Sequence, residues 1–270
     1  MQVKIHEALA GVALLIAARR QAAASMGREK EETLWRYLRA LSDFVHVTGQ
    51  VYLLEDALQV TARSSYPSVR ARLSEHPGMF AQQALELLHE AMNGFPDAER
   101  RYLSVLIALL GFIAETGQLD EAEDFFLHQE DHAPVAIAHF PSREAAEAWL
   151  KGAAEPPSPA RILIGDEYHQ VWYTREDGAR GLYRDPAIEP VMEAMVAQGF
   201  PERMPAFGTR AEAEAWLMRH PANPYAFVSI AGARYFAVHH RRLKRHSLHA
   251  VAPTLEDWEE RKRAVEGSAE

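Results

Sequence analysis

Phe140-Pro-Ser-Arg-Glu-Ala-Ala-Glu-Ala-Trp-Leu150 recurs as Phe207-Gly-Thr-Arg-Ala-Glu-Ala-Glu-Ala-Trp-Leu217, at an offset of 67 residues. Carried onward at that offset, Gly165 falls on Gly232, Tyr168 on Tyr235 and Val171 on Val238. One supersecondary unit is therefore used twice. Each stretch opens on a hydroxyl, Ser142 or Thr209, suited to cap a helix N-terminus. Thr209 with Glu212 has the spacing of a capping box. Ala146, Trp149 and Leu150, like Ala213, Trp216 and Leu217, share one helical face. The helices are thus read over about 143–151 and its copy.

A short apolar run, Val135–Phe140, precedes the first helix, and proline-rich links (155–159 and 221–224) follow the two helices. Then come paired extended runs around a tight glycine: Arg161–Ile164 and Tyr168–Thr174, matched by Phe227–Ile230 and Arg234–His240. Asp177-Gly178 signals a hairpin turn into a third strand near Leu182-Tyr183, with its counterpart at Ser247–Val251. The unit reads β-α-β-β-β, twice. Odd spacing puts Tyr168 and Val171 on opposite faces, so both faces of each sheet are expected to be covered. A linker helix is read over Asp185–Gln198 with Pro186 in its first turn. Thr254 with Glu256-Asp257 starts a charged C-terminal helix after Pro253.

Upstream of Ala133-Pro134 the pattern is helical. Leu34, Tyr37, Leu38, Leu41 and Val45 recur at helical spacing, and Tyr102–Ile113 is apolar nearly all round, as in a central buried helix. Asp120–Gln129 is a short acidic helix. Its opening, Gly117-Gln-Leu-Asp-Glu-Ala-Glu-Asp124, resembles the second-helix start of tetratricopeptide-type repeats, but no repeat period accompanies it. The expected fold is α+β: an N-terminal helical domain (1–132), then a first repeat with its linker helix (133–200), a second repeat (201–253) and a charged tail (254–270). The two repeats are expected to pack about a pseudo-two-fold axis.

The chain has 270 residues, no cysteine and a net charge of −9. Thiolate chemistry and disulfides are excluded. The acidity works against generic nucleic-acid or anionic-membrane binding and suits a basic protein partner. Arginine far outnumbers lysine, a compositional hint of a bacterial origin. The apolar run Ala8–Ala18 is too short to span a bilayer, and its flanking charges do not suit a signal peptide. A cytoplasmic protein is expected. There is no phosphate-binding glycine loop, nucleophile elbow or His-Glu-x-x-His. No catalytic residue, metal or cofactor is assigned. His128 and His132 stand four apart without a third ligand.

Three surfaces are candidates for partner binding. The first is acidic: Glu121, Glu123 and Asp124. The second is aromatic: Trp172, Tyr173 and Tyr183, residue types favoured as interface anchors. The third is the basic stretch 239–249, with His239, His240, Arg241 and Arg242 at its head. In general character the chain resembles bacterial immunity proteins, which neutralise a cognate toxin by covering it. The resemblance lies in its acidity, lack of cysteine, lack of catalytic motifs and duplicated scaffold. It implies an electrostatically complementary interface with a basic, nuclease-like toxin domain and carries over no family residue. Two other readings stand beside it. One is a nucleic-acid-associated regulator using 239–249; the other is an enzyme with a site in an inter-domain groove.

Overall fold

The computed structural model describes residues 5–59, 65–75, 78–94, 96–129 and 132–266. The chain divides into two compact units, Met1–Gln129 with Pro157–Pro159, and Glu130–Pro156 with Ala160–Glu270.

The first unit is helical among the described residues: α1 (Ile5–Ser25), α2 (Glu29–Val47), α3 (Val51–Gln59), α4 (Tyr66–Glu75), α5 (Ala81–Gly94), α6 (Asp97–Glu115) and α7 (Leu119–Leu127). The first four residues of the expected helical domain and the last four of the expected charged tail lie outside the described residues. α6 is the axis, touching every other helix of the unit. Its Leu103, Leu106, Leu109, Leu110 and Ile113 are fully buried, which explains why the 102–113 stretch is apolar nearly all round.

The second unit holds β1 (Ala136–Phe140), α8 (Arg143–Gly152), β2 (Ala160–Ile164), β3 (Glu167–Tyr173), β4 (Arg180–Arg184), α9 (Glu189–Gln198), β5 (Ala206–Phe207), α10 (Arg210–Leu217), β6 (Tyr225–Ile230), β7 (Ala233–His240), β8 (Arg245–Ala250) and α11 (Val251–Glu266). The strands form two four-stranded sheets, ordered β1-β2-β3-β4 and β5-β6-β7-β8. In each, the first pairing is parallel and the next two antiparallel. The Ser142 hydroxyl accepts from Ala145 N–H at 3.3 Å, and Thr209 with Glu212 closes the capping box expected from their spacing. The fold is thus α+β, with a helical region followed by two β-α-β-β-β units.

Three sequence expectations need correction. The linker helix begins at Glu189, with Pro190 and not Pro186 in its first turn. The last strand ends at Ala250, and α11 begins at Val251 with Pro253 inside its first turn. That helix is docked along its length: Trp258 Nε1–H and Lys262 Nζ both donate to Glu193 of α9, at 2.9 and 2.7 Å.

The third correction concerns register. The offset of 67 holds for the first strand and helix but drops to 66 in the sheet. Gly165 N–H donates to Phe140 O in one copy, and Ala231 N–H donates to Phe207 O in the other, each at 2.9 Å. The equivalent of Gly165 is therefore Ala231. Val171 and Leu182 face α8, where Ala237 and Leu248 face α10. The link from helix to strand is one residue shorter in the second copy. Because side chains alternate along a strand, that one residue decides every face. Tyr168 points away from α8 into the core between the sheets, whereas Tyr235 lies on the α10 side.

The inner faces of both sheets share one core with α9 and α11, including Leu163, Tyr168, Met192, Phe227, Phe236 and Val251. One contact between the sheets has no counterpart in the other copy. Tyr168 of the first sheet meets His240 of the second at 3.3 Å. On the 66-residue equivalence the symmetry mate would be Arg234 against Thr174. Arg234 is instead exposed and lies 4.0 Å from the ring centre of Phe200.

Candidate functional site

The inner face of the second sheet carries the most concentrated polar chemistry of the unit. Strand alternation aims Phe236, Val238 and His240 of β7 inward, beside their cross-strand partners His249, Ser247 and Arg245 of β8. His240, Ser247 and His249 are buried. They form a chain with Tyr168 of the first sheet. Tyr168 O–H donates to Pro134 O at 2.8 Å. Its oxygen stands 3.3 Å from His240 Nδ1, His240 Nε2 is 2.8 Å from Ser247 Oγ, and Ser247 Oγ is 2.8 Å from His249 Nε2.

Counting donors gives the chain a direction for neutral rings. A carbonyl only accepts, so Tyr168 uses its proton on Pro134. His240 then donates from Nδ1 and accepts at Nε2 from the Ser247 hydroxyl. Ser247 oxygen in turn accepts from His249 Nε2–H. Burial favours neutral rings, holding His240 down at about 3 and His249 at about 4. The positive potential of Arg245 adds to burial at His240, while Arg184 and Arg210 add at His249 and Asp166 opposes them there.

Asp166, in the β2–β3 turn, bridges the same seam. Its carboxylate lies 2.5 Å from Arg210 Nη2 at the start of α10 and 3.7 Å from Arg245 Nη2 at the start of β8. On the opposite face of the second sheet, His239 and His246 stack at 4.6 Å, and His246 Nε2 accepts from Ala222 N–H at 3.3 Å. Burial first, then the neighbouring His239, lowers His246 to about 4.

The same lattice positions in the first sheet look different. Val238, Ser247 and His249 correspond to Trp172, Gly181 and Tyr183. Trp172 is 40% and Tyr183 54% exposed, against 0% for Val238 and 8% for His249. Gly181 has a steric reason to be glycine: a Cβ there would sit 2.6 Å from Trp172 Nε1. Without it the indole lies across β4, the edge strand, as an aromatic platform open to solvent.

The residues singled out from the sequence separate accordingly. Trp172 belongs to the platform, but Tyr173 is buried on the other face, with Arg180 5.1 Å above its ring. Glu121 is exposed. Glu123 is half-buried and engaged: its carboxylate accepts Met79 and Phe80 N–H at 3.0 and 3.1 Å and so caps α5. Gly78 leaves room for it, since a Cβ there would come within 2.4 Å of Glu123 Oε1. Asp124 pairs with His128 at 3.0 Å. The basic stretch is also not a continuous solvated face. His240, His246 and His249 are buried, His239 is half-buried, and Arg241, Arg242 and Lys244 remain exposed in and beside the Arg241–Leu243 turn. Arg241 Nη1 lies 3.2 Å from His132 Nε2.

The sequence pointed to Tyr183 beside Trp172 but not to Gly181 or Ser247. An alternation argument applied to β4 could have found Gly181, but Ser247 carries no local signal. Among the described residues no group of three or more His, Asp or Glu is arranged to hold a metal. None of their helices is singly long and apolar enough to cross a membrane. Comparison with protein-family models, with curated proteins and with solved structures finds no match.

Proposed function

We propose that this chain is a protein-interaction module of the immunity type, which binds a cognate protein and covers it through the Trp172–Tyr183 platform. The observation that carries the reading is the exposure of two large aromatics on a sheet face whose equivalent in the sister repeat is buried. Exposed Trp and Tyr on a rigid strand supply contact area at little cost in side-chain entropy, and such residues dominate binding energy at interfaces. The net charge of −9 suits a basic partner, whose encounter it would speed. A cytoplasmic location belongs to the same proposal.

The test uses two baits, the native chain and a Trp172→Ala/Tyr183→Ala variant, each folded by circular dichroism. A stoichiometric protein retained by the native chain, lost by the variant, and toxic unless the native chain is co-expressed, is the expected result. Equal retention by both baits would move the interface elsewhere. No stoichiometric protein at low salt would end the interaction reading.

A further inference from the structure

The histidines of this unit are not shared between the copies. On the 66-residue equivalence, His240, His246, Ser247 and His249 stand where the first copy has Thr174, Arg180, Gly181 and Tyr183. All four of the second copy's side chains are buried, on both faces of β7 and β8. On the inner face the chain His249–Ser247–His240–Tyr168 fastens one sheet to the other. On the outer face, His246 accepts the Ala222 N–H with a ring nitrogen that a proton would take away.

We propose that the second repeat is an acid-released element: on acidification β7 and β8 let go of the first sheet and of Ala222, while the first sheet and the helical unit stay folded. The groups facing the seam leave a proton poorly compensated. Arg245 from β8, Arg210 from α10 and Arg184 from β4 face it as cations. Asp166 from the β2–β3 turn is the carboxylate acting on His249, and it is already engaged by Arg210 and Arg245. Glu214 is taken up by Arg210, and Glu167 and Glu189 by Arg184. His239 stacks on His246; His249 first, then His246 and His239, add to the cost of charging His240, which the hydroxyl of Tyr168 faces. A first proton on His240 is accommodated only if the Ser247 hydroxyl turns to donate to His249 Nε2, which requires that ring to carry its own proton on Nδ1 instead. A second on His249 would point two N–H donors at one oxygen, leaving the serine proton without an acceptor in the chain.

The sign follows from the depressed pKa values. Each ring is neutral when folded and charges readily when unfolded, so stability is full above pH 6.5 and falls as pH drops towards about 4. The opening equilibrium is expected to shift by up to about tenfold per pH unit for each histidine in that window. The first sheet's His139 and His169 are also depressed by burial, but neither ties one sheet to the other.

The experiment is amide hydrogen exchange of the full chain between pH 7.5 and 4, corrected for intrinsic rates and read by mass spectrometry, with nitrogen NMR of the histidine rings. Peptides over 225–250 should lose at least about tenfold protection by pH 4.5, while those over 160–173 and 103–113 keep theirs. A His240→Gln/His246→Gln/His249→Gln variant should flatten the dependence. If that variant does not fold, the native chain still decides. Uniform loss of protection across both units, retention over 225–250 down to pH 4, or rings that titrate near 6.5 in the folded chain would each overturn the proposal.

Discussion

The two copies of the β-α-β-β-β unit agree where the chain is local and differ where it meets something else. A hydroxyl N-cap, a Trp-bearing helix and the strand order recur in both. Their inner faces differ. One copy carries Trp172 and Tyr183 into solvent beside Gly181, and the other buries Val238, Ser247 and His249. A duplicated scaffold thus fixes the backbone lattice, while the side chains at equivalent points are set by what covers each copy. An aromatic tolerates exposure and offers contact area. A hydroxyl between two imidazoles is stable only when every donor finds an acceptor.

The comparison breaks first at Phe236, which is fully buried, and at its equivalent Gln170, which is half-buried. Phe236→Ala should cost about 3–5 kcal/mol in chemical denaturation, while Gln170→Ala should cost much less. Similar losses would mean that the inner faces are used alike. Next comes Ser247→Ala, which strips a partner from both His240 and His249 and should cost about 2–3 kcal/mol. Its counterpart Gly181→Ala should shift Trp172 fluorescence with little change in melting temperature, because the displaced indole is already exposed.

A smaller effect tests the bridge between copies. Asp166→Asn removes the charge that meets Arg210 and Arg245. It should cost about 1 kcal/mol at low salt and less at high salt, since Arg210 is substantially exposed. The smallest prediction sharpens the register. Ala231 has φ of 49°, in the left-handed region where glycine is at ease. Ala231→Gly should therefore stabilise by about 0.5–1 kcal/mol in the same denaturation assay. A loss there would count against Ala231 as the equivalent of Gly165.

What could be read in advance follows the range of the interaction. Ser142, Thr209 and Glu212 act within one helical turn, so their spacing sufficed to place the helices. The apolar Tyr102–Ile113 run announced a central helix because burial on all sides leaves a composition visible in the chain itself. The sheet register was misjudged because Gly232 attracts an alignment with Gly165, although the hydrogen bond to the preceding strand selects Ala231. The burial of the candidate residues was hidden for a longer-range reason. A run of His and Arg reads as a basic surface until alternation and a second sheet hide half of it. Glu123 likewise looks like its neighbours Glu121 and Asp124. Only the approach of Met79 and Phe80, distant in sequence, turns it into a cap.

The shortened link in the second copy bears on any attempt to recombine the halves. A chimaera that transplants the second hairpin by the most obvious matches, Gly232 on Gly165 and Tyr235 on Tyr168, would insert each strand one step out of phase. Its helix-facing residues would then point at the sister sheet, and its relay would point at its own helix. Spliced at Ile164 and Ile230, the same fragments would keep their polarity of faces, and the platform and the histidine chain could be exchanged as cassettes.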